Sequence, residues 1–384
     1  MNRYVSSYLL VATTVLVAGH IVATWVAAWR RGKRAVPVRR EKPCVSMPMP
    51  LVTILIPAWR EATTIAGCLR ALSEVTYERW EAIVIAGGPD NTLDVAHAAA
   101  ATDDRLLVLP QSPGGKNAAL TAGLAHAHGS IIVVLDADSL VEPGWLDALL
   151  VPIDGGADAA CGQFVPRRST WISQSEQLEE RYARDVLGAT SLQGSGSIAV
   201  TRAALDAVGG FPPDVTVGVD WDLGVRLERG RFRSAFVAEA ILTTERPATL
   251  SEFWRNEVRW RRAHLRALWR HRGWFGDSPT RLVGQSGFYL VTLGMLAIVP
   301  LIVIGVALGA ASMWLFGLLA ILWVASRRGA FVLTLAAAHG EWRSLDLIWG
   351  PTVLVFVSFA ATFWAACTLS TRQVHFRGPR PNAM

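Results

Sequence analysis

The sequence predicts an α/β protein built on a doubly wound, mostly parallel sheet, with an amino-terminal transmembrane helix and a carboxyl-terminal helical membrane region. Three observations carry that prediction. Short apolar runs alternate with Ala- and Leu-rich runs of helical spacing as far as about residue 245, the βαβα order of parallel strands covered by helices. Residues 4–29 are nearly uncharged and longer than the ~20 apolar residues that cross a bilayer. The carboxyl-terminal third is apolar again, which lifts the hydrophobic content of the 384-residue chain to 52%.

The amino-terminal run is too long for a signal-peptide core and has no convincing small-residue cleavage site, so residues 1–29 read as a retained anchor. Arg30, Arg31, Lys33, Arg34, Arg39, Arg40 and Lys42 follow in a basic linker over 30–49, against Arg3 alone before the anchor. That imbalance sets the next domain in the cytoplasm. The net charge of +6 then needs no nucleic acid, because basic residues beside membrane segments attract anionic lipids. Cys44, Cys68, Cys161 and Cys367 are scattered with no C-x-x-C pair, which fits a reducing compartment and gives no support to a disulfide framework or a zinc site.

Strands are expected at 51–56, 80–86, 105–109 and 131–135, and helices at 63–73, 90–101 and 116–128. Pro57, Gly87-Gly88-Pro89, Pro113-Gly114-Gly115 and Pro143-Gly144 punctuate them. Over 250–275 the character changes. Trp254, Val258, Leu265, Leu268 and Trp269 recur at helical spacing among seven arginines, as in a helix lying in a membrane interface. Its alternative is a solvated helix packed on the domain. Transmembrane helices are expected within 281–370: a hairpin of 285–310 and 312–325 closed by Arg327 and Arg328, and a span over 345–369. Residues 330–339 are too few to cross upright. A basic tail, 371–384, ends the chain.

The chemistry centres on Asp136-Ala137-Asp138, which closes the apolar run 131–135. In an extended chain the side chains at i and i+2 point to one side, and open α/β sheets bind ligands at the carboxyl ends of their strands. Two hard oxygen ligands there suit Mg²⁺ or Mn²⁺ carrying nucleotide phosphates; the plain alternative is a solvated turn. Four clusters join the pair. Pro57-Ala58-Trp59-Arg60-Glu61 follows the first strand. Gly114-Gly115-Lys116 can hold a diphosphate with backbone N–H groups and one cation, although Asn117 stands where a P-loop needs Ser or Thr. Gly194-Ser195-Gly196 precedes a short strand. Val219-Asp220-Trp221-Asp222 begins a helical segment, whose N-terminus steadies negative charge.

In that order and spacing, with Arg259-Trp260 after them, these motifs make residues 50–272 resemble the family 2 glycosyltransferases. The likeness is to the membrane-integrated branch that includes cellulose, hyaluronan and poly-N-acetylglucosamine synthases and ceramide glucosyltransferase-like enzymes. The tail His375-Phe376-Arg377-Gly378 is similar to an ending of some hopanoid- and ceramide-type members. The resemblance implies a GT-A nucleotide-sugar domain over 50–249 and inverting, metal-dependent transfer from a nucleotide-diphosphate sugar, with a UDP-sugar favoured. It implies Asp138 as metal ligand, Asp136 as ligand to the nucleotide or the metal's shell, and Asp220 as general base. Arg259 would bind diphosphate and Trp260 would stack on the acceptor. Pro57, Ala58, Trp59, Glu61, Asp90, Lys116, Gly194, Ser195 and Asn256 complete the implied substrate site.

Three positions depart from the family pattern. Ala86-Gly87-Gly88 replaces acidic residues after the second strand, which leaves the base open. Val219 replaces Glu before Asp220, and Asn256 replaces Gln three residues before Arg259. A lipid acceptor needs only an interfacial cleft, whereas a polysaccharide synthase needs a lined conduit through the bilayer. The few apolar spans therefore favour glycolipid synthesis at the cytoplasmic face of a bacterial inner membrane, with processive polymer synthesis as the alternative if a homo-oligomer or partner completes a channel. A non-catalytic scaffold or sugar-binding regulator with the same fold is the reading from another class.

Overall fold

The structure, a computed structural model, describes residues 2–34, 50–186, 196–279, 289, 291–294 and 313–369. The sheet begins with β1 (Val52–Trp59), β2 (Trp80–Gly87), β3 (Leu106–Pro110) and β4 (Ile131–Leu135). These are the four strands expected from the sequence, paired in parallel in the order β3-β2-β1-β4. Their side chains alternate between two cores. Val52, Ile54 and Ile56 of β1, with Ile131, Val133 and Leu135 of β4, face one side; Leu55, Ile132 and Val134 face the other. Both faces are apolar because helices cover both.

One core is closed by α2 (Ile65–Ser73), α3 (Thr92–Ala100) and, after the short β5 (Leu140–Val141), α5 (Trp145–Asp154). The other is closed by α4 (Lys116–Leu124), α7 (Arg202–Ala207) and α8 (Val219–Arg229). The second half of the sheet departs from the parallel expectation. Strand β7 (Ser197–Thr201) runs antiparallel to β4, with Leu135 opposite Ser197, and β6 (Ala159–Pro166) and β8 (Ser234–Thr244) complete an eight-stranded mixed sheet. The reversal brings Gly196 beside the end of β4, where its carbonyl accepts from Asp136 N at 3.2 Å.

The apolar ends pack onto this domain through α6 (Trp171–Arg181). Helix α1 (Asn2–Arg34) lies along α11 (Met313–His339), and the two run in the same direction. His20 meets Trp323 at 6.2 Å, Trp25 Nε1 donates to Ser326 Oγ at 2.8 Å, and Gly32 meets Thr334 and Ala337. Arg327 and Arg328 do not end the helix as expected. The helix continues through them because Arg327 stacks on Trp323 at 5.4 Å and Arg328 pairs with Glu179 at 3.2 Å, so the short 330–339 segment is the last part of one long helix.

The expected amphipathic helix is α9 (Leu250–Arg270), followed by the short α10 (Arg272–Gly276). Helix α12 (Gly350–Cys367) follows it along its length: Phe253 packs with Leu354, Val258 with Ala361 and Ala365, and Arg262 donates to Thr368 Oγ1 at 2.6 Å. Val11–Lys33, Trp314–His339 and Trp342–Cys367 are long and apolar enough to cross a membrane. Most of the expected 285–310 span and all of the basic tail lie outside the described residues.

The α1–α11 contact depends on Gly32, where an added Cβ would lie 2.6 Å from the Thr334 carbonyl oxygen. Gly32→Leu is expected to overpack this contact by ~1–3 kcal/mol and lower the thermal midpoint in detergent. Gly19→Leu should leave it unchanged, since Gly19 has nothing within 4 Å. Equal midpoints for the two variants would contradict the pairing.

Candidate active site

One cleft of about 690 Å³ opens where β1 and β4 end, and α8 and α9 close its far wall. Pro57, Trp59, Glu61, Lys116, Asp136, Asp138, Asp220, Asn256, Arg259 and Trp260 all line it. Residues drawn from positions 57 to 260 of the chain thus meet in one place.

The two acids after β4 converge differently from the expectation. The strand stops at Leu135, and Ser139 N donates to the Asp136 carbonyl at 3.0 Å, so Asp136 to Ser139 form a turn. The turn, and not strand alternation, sets both carboxylates on the cleft. Asp138 is only 3% exposed, whereas Asp136 reaches the Lys116 ammonium in an ion pair.

Lys116 is the first residue of α4, presented by Gly115 at φ 90°. Burial alone would lower the pKa of its ammonium. The carboxylates of Asp136, Asp220 and Asp138 outweigh burial and hold it above the usual lysine value. Lys116 therefore stays cationic, and its partner here is Asp136. Beneath the turn, Cys68 Sγ lies 3.8 Å from the Asp136 carbonyl oxygen; burial and the nearby carboxylates push this thiol up, which removes it as a nucleophile at neutral pH.

Asp220 stands in the first turn of α8, where the helix N-terminus favours an anion. Two residues on, Asp222 points away from the cleft, as the helical turn requires. It is 1% exposed, and its carboxylate accepts from Arg226 Nε at 2.8 Å and meets His271 Nε2 at 2.8 Å. Burial pulls the Asp222 carboxyl up, but His271 and Arg226 outweigh it and hold it below the usual carboxylate range. Asp222 thus ties α8 to the end of α9, a role the sequence reading missed.

Asn256, Arg259 and Trp260 share one face of α9 through their i, i+3 and i+4 spacing. The Arg259 guanidinium lies 5.9 Å from the Trp260 ring. A second cation, Arg246, sits 5.4 Å from the same ring, stacks on Phe164 at 4.1 Å and pairs with Glu176 of α6 at 3.2 Å. Its signal was its place just past the end of β8, since strand ends on both halves of the sheet open on the cleft. His264 also lines the cleft, edge-on to Trp221 at 4.9 Å and bonded through Nδ1 to Tyr289 Oη at 2.7 Å.

Two expected site residues fall elsewhere. Ala58 is fully buried between the sheet strands, because alternation along β1 turns it into the core. Asp90 does not line the cleft. Its carboxylate accepts from Thr92 Oγ1 at 2.7 Å and Ala62 N at 3.4 Å, while Thr92 Oγ1 accepts from Glu61 N at 2.8 Å. Asp90 is thereby a strut under the Glu61 loop. Gly194 and Ser195 lie outside the described residues, and Gly196 borders the cleft.

Among the described residues no three His, Cys, Asp or Glu side chains converge on a point that could hold a metal. Two carboxylates on one turn suit instead an ion that takes its other ligands from a diphosphate and water, the habit of Mg²⁺ and its analogues. The donor set therefore fits a divalent ion that arrives with phosphate.

The sequence profile of glycosyltransferase-like family 2 matches residues 48–263. An N-acetylglucosaminyltransferase of Mesorhizobium japonicum is 26% identical over 256 residues, 60% of this chain and 60% of that protein. Glycosyltransferase AglE of Haloferax volcanii is 25% identical over 180 residues, 45% of this chain and 59% of its own length. The chain thus spans about three fifths of the length of these relatives. Among solved structures, mannosyltransferase PcManGT from Pyrobaculum calidifontis, in complex with GDP-Man and Mn²⁺, superposes with a TM-score of 0.59 at 20% identity, over 92% of this chain and 99% of that one. This likeness bears on the fold.

The charge cluster behind Trp260 gives a pH dependence. Burial pushes the Glu176 and Glu180 carboxyls up to about 7, with Arg246 and Arg184 opposing it. Unfolded, they titrate at about 4.3. Between those values the folded state holds the extra protons, so stability falls as pH rises through that window. Glu176→Gln is expected to flatten the fall in thermal midpoint between pH 5 and 7.5; an unaltered slope would contradict this assignment.

Proposed function

The chain belongs to glycosyltransferase-like family 2, and from that premise we propose a membrane-bound, inverting enzyme that transfers a sugar from a nucleoside-diphosphate sugar to a lipid at the cytoplasmic face. The observation that carries this reading is the shared cleft of Asp136, Asp138 and Asp220 around Lys116, walled by a helix that packs on a membrane segment.

In this reading Asp138 holds a divalent ion, Mg²⁺ or Mn²⁺, and Asp136 completes the ion's or the nucleotide's surroundings. Such an ion supplies Lewis acidity to the departing diphosphate. Lys116 can exchange its Asp136 partner for a phosphate oxygen, which keeps its charge compensated, and Arg259 can clamp diphosphate through its planar fork. The acceptor hydroxyl oxygen attacks the anomeric carbon on the face opposite the leaving diphosphate, and an Asp220 oxygen takes its proton. Trp260, steadied between Arg259 and Arg246, offers a face to the acceptor. The complex of PcManGT with GDP-Man and Mn²⁺ supports a nucleotide-sugar donor and a divalent ion; we favour a UDP-sugar.

The lipid acceptor is supported by the membrane helices. Among the described residues, Thr334 and Thr362 hydrogen-bond carbonyls of their own helices, Ala330 and Ser358, and Ser326 is taken by Trp25, so these side chains are not offered to a polar conduit. The arginines of α9, with Trp269 72% exposed, suit a membrane interface. Since α12 packs along α9, it joins that interfacial helix to an apolar segment, with the basic end of α1 on the cytoplasmic side.

With labelled nucleotide sugar, Mn²⁺ and a lipid extract, the protein is expected to form a labelled lipid. Asp220→Asn should keep donor binding and lose transfer by ~10²–10⁴-fold, and Asp138→Ala should weaken metal-dependent donor binding. Both variants turning over like the parent would overturn the site, and a long polymer from a lipid-free preparation would overturn the lipid acceptor.

A further inference from the structure

Cations gather where α8 meets the junction of α9 and α10. The spacing of Asp222, Arg226 and Arg229 sets all three on one stripe of α8, and Arg270 and His271 reach that stripe from the end of α9. Helix C-termini draw cations, and two of these are matched by acids. Arg226 pairs with Asp222 at 2.8 Å, while Arg270 pairs with Asp214 and lies 3.5 Å from Asp222. Arg229 and Arg272 differ. Among the described residues neither meets an acid; Arg272 only donates to the Trp269 carbonyl at 3.0 Å and stacks on the Trp269 ring at 4.7 Å.

Between these groups lies a second cavity, of about 300 Å³, lined by Arg229, Arg270, His271, Arg272, Gly273 and Trp274. It shares no lining residue with the cleft of Asp136, Asp138 and Asp220, and no acid lines it among the described residues. His271 is its informative member. The side chain is 3% exposed, and its Nε2 meets Asp222 Oδ1 at 2.8 Å. The other ring nitrogen, Nδ1, is buried and has no hydrogen-bond partner. A buried polar atom left unpaired is costly. Beside guanidiniums without counter-ions, the group that would satisfy it is an oxyanion. An imidazolium donates from both nitrogens, so the ring can bridge the Asp222 carboxylate and such an anion.

We propose that this pocket binds a phosphate group through Arg229, Arg272 and His271 Nδ1. A phosphate presents oxygens in several directions and can meet three converging donors, whereas a carboxylate has two oxygens in one plane. Inorganic phosphate and an anionic phospholipid headgroup share this chemistry. The headgroup is the source that the surroundings suit, because Trp269 is 72% exposed at the same end of a basic helix. Filling the pocket would occupy the free side of His271, whose other side clasps α8, the helix that carries Asp220. Binding itself needs no sugar transfer.

The test is titration calorimetry of the full chain in detergent, with dioleoylphosphatidylglycerol or dioleoylphosphatidylcholine in mixed micelles, and with inorganic phosphate. The parent is expected to bind phosphatidylglycerol about tenfold or more tighter than phosphatidylcholine, and Arg229→Gln/Arg272→Gln should erase most of that preference. Arg229→Gln alone, at an exposed position, and His271→Gln should shift it in the same direction. Arg30→Gln/Lys33→Gln removes two exposed charges at the end of α1 and should leave it unchanged. Inorganic phosphate that displaces the lipid marks a site for free phosphate as well; a lipid preference untouched by phosphate marks the headgroup alone. A preference that survives in Arg229→Gln/Arg272→Gln overturns the proposal, as does an equal loss in Arg30→Gln/Lys33→Gln or a parent that binds neither phosphatidylglycerol nor phosphate. Phosphate binding lost only in Lys116→Gln belongs to the cleft, which overturns this pocket and leaves the transferase reading intact.

Discussion

Carboxylates that share one cleft repel one another, and Lys116 offsets that repulsion here. At an effective dielectric of 20, two charges 4 Å apart interact by about 4 kcal/mol, which sets the scale of such a repulsion. The Lys116 ammonium pairs with Asp136 and feels Asp220 and Asp138 as well. Its position follows from the sheet. The end of β4, held between parallel β1 and antiparallel β7, faces the start of α4, which begins at Lys116 after the Pro113-Gly114-Gly115 turn. A divalent ion arriving with a diphosphate would bring both the charge that the acids need and the anion that Lys116 needs.

The long apolar helices reach this cleft through α6 and α9. Leu178 of α6 packs with Phe331, Val332 and Leu335 of α11, Glu179 pairs with Arg328, and Glu176 holds Arg246 behind Trp260. A displacement of α11 would therefore be felt by the aromatic face at the cleft rim. On the other flank α12 packs along α9, so the helix carrying Arg259 and Trp260 is joined directly to a helix apolar enough to cross a membrane. Under the proposed reading, an acceptor need travel only from the bilayer surface to that rim.

The first half of the sheet was legible because each strand is a continuous apolar run between turn residues, buried on both faces. The second half was not: β6 and β8 are less apolar, and their pairing depends on the reversal at β7, which no local pattern announces. Asp136 and Asp138 were singled out from the sequence and both line the cleft, but a turn brings them together where strand alternation was expected. Arg327 and Arg328 read as the end of a span; stacking on Trp323 and pairing with Glu179 keep them inside α11. Asp90 and Asp222 show the same limit. Sequence spacing offers candidates, and only the packing tells which polar groups are committed to the scaffold and which face the cleft.

The central claim is that Asp138 and Asp136 hold a divalent ion together with a nucleoside diphosphate, with Asp220 facing the same space. A crystal structure with Mn²⁺ and a nucleoside diphosphate, with the ion located by its anomalous scattering, tests this most directly. The predicted result is one strong peak within coordinating distance of an Asp138 oxygen and of diphosphate oxygens, with Lys116 released from Asp136 toward phosphate. A peak away from both acids, or diphosphate bound outside this cleft, would contradict the account.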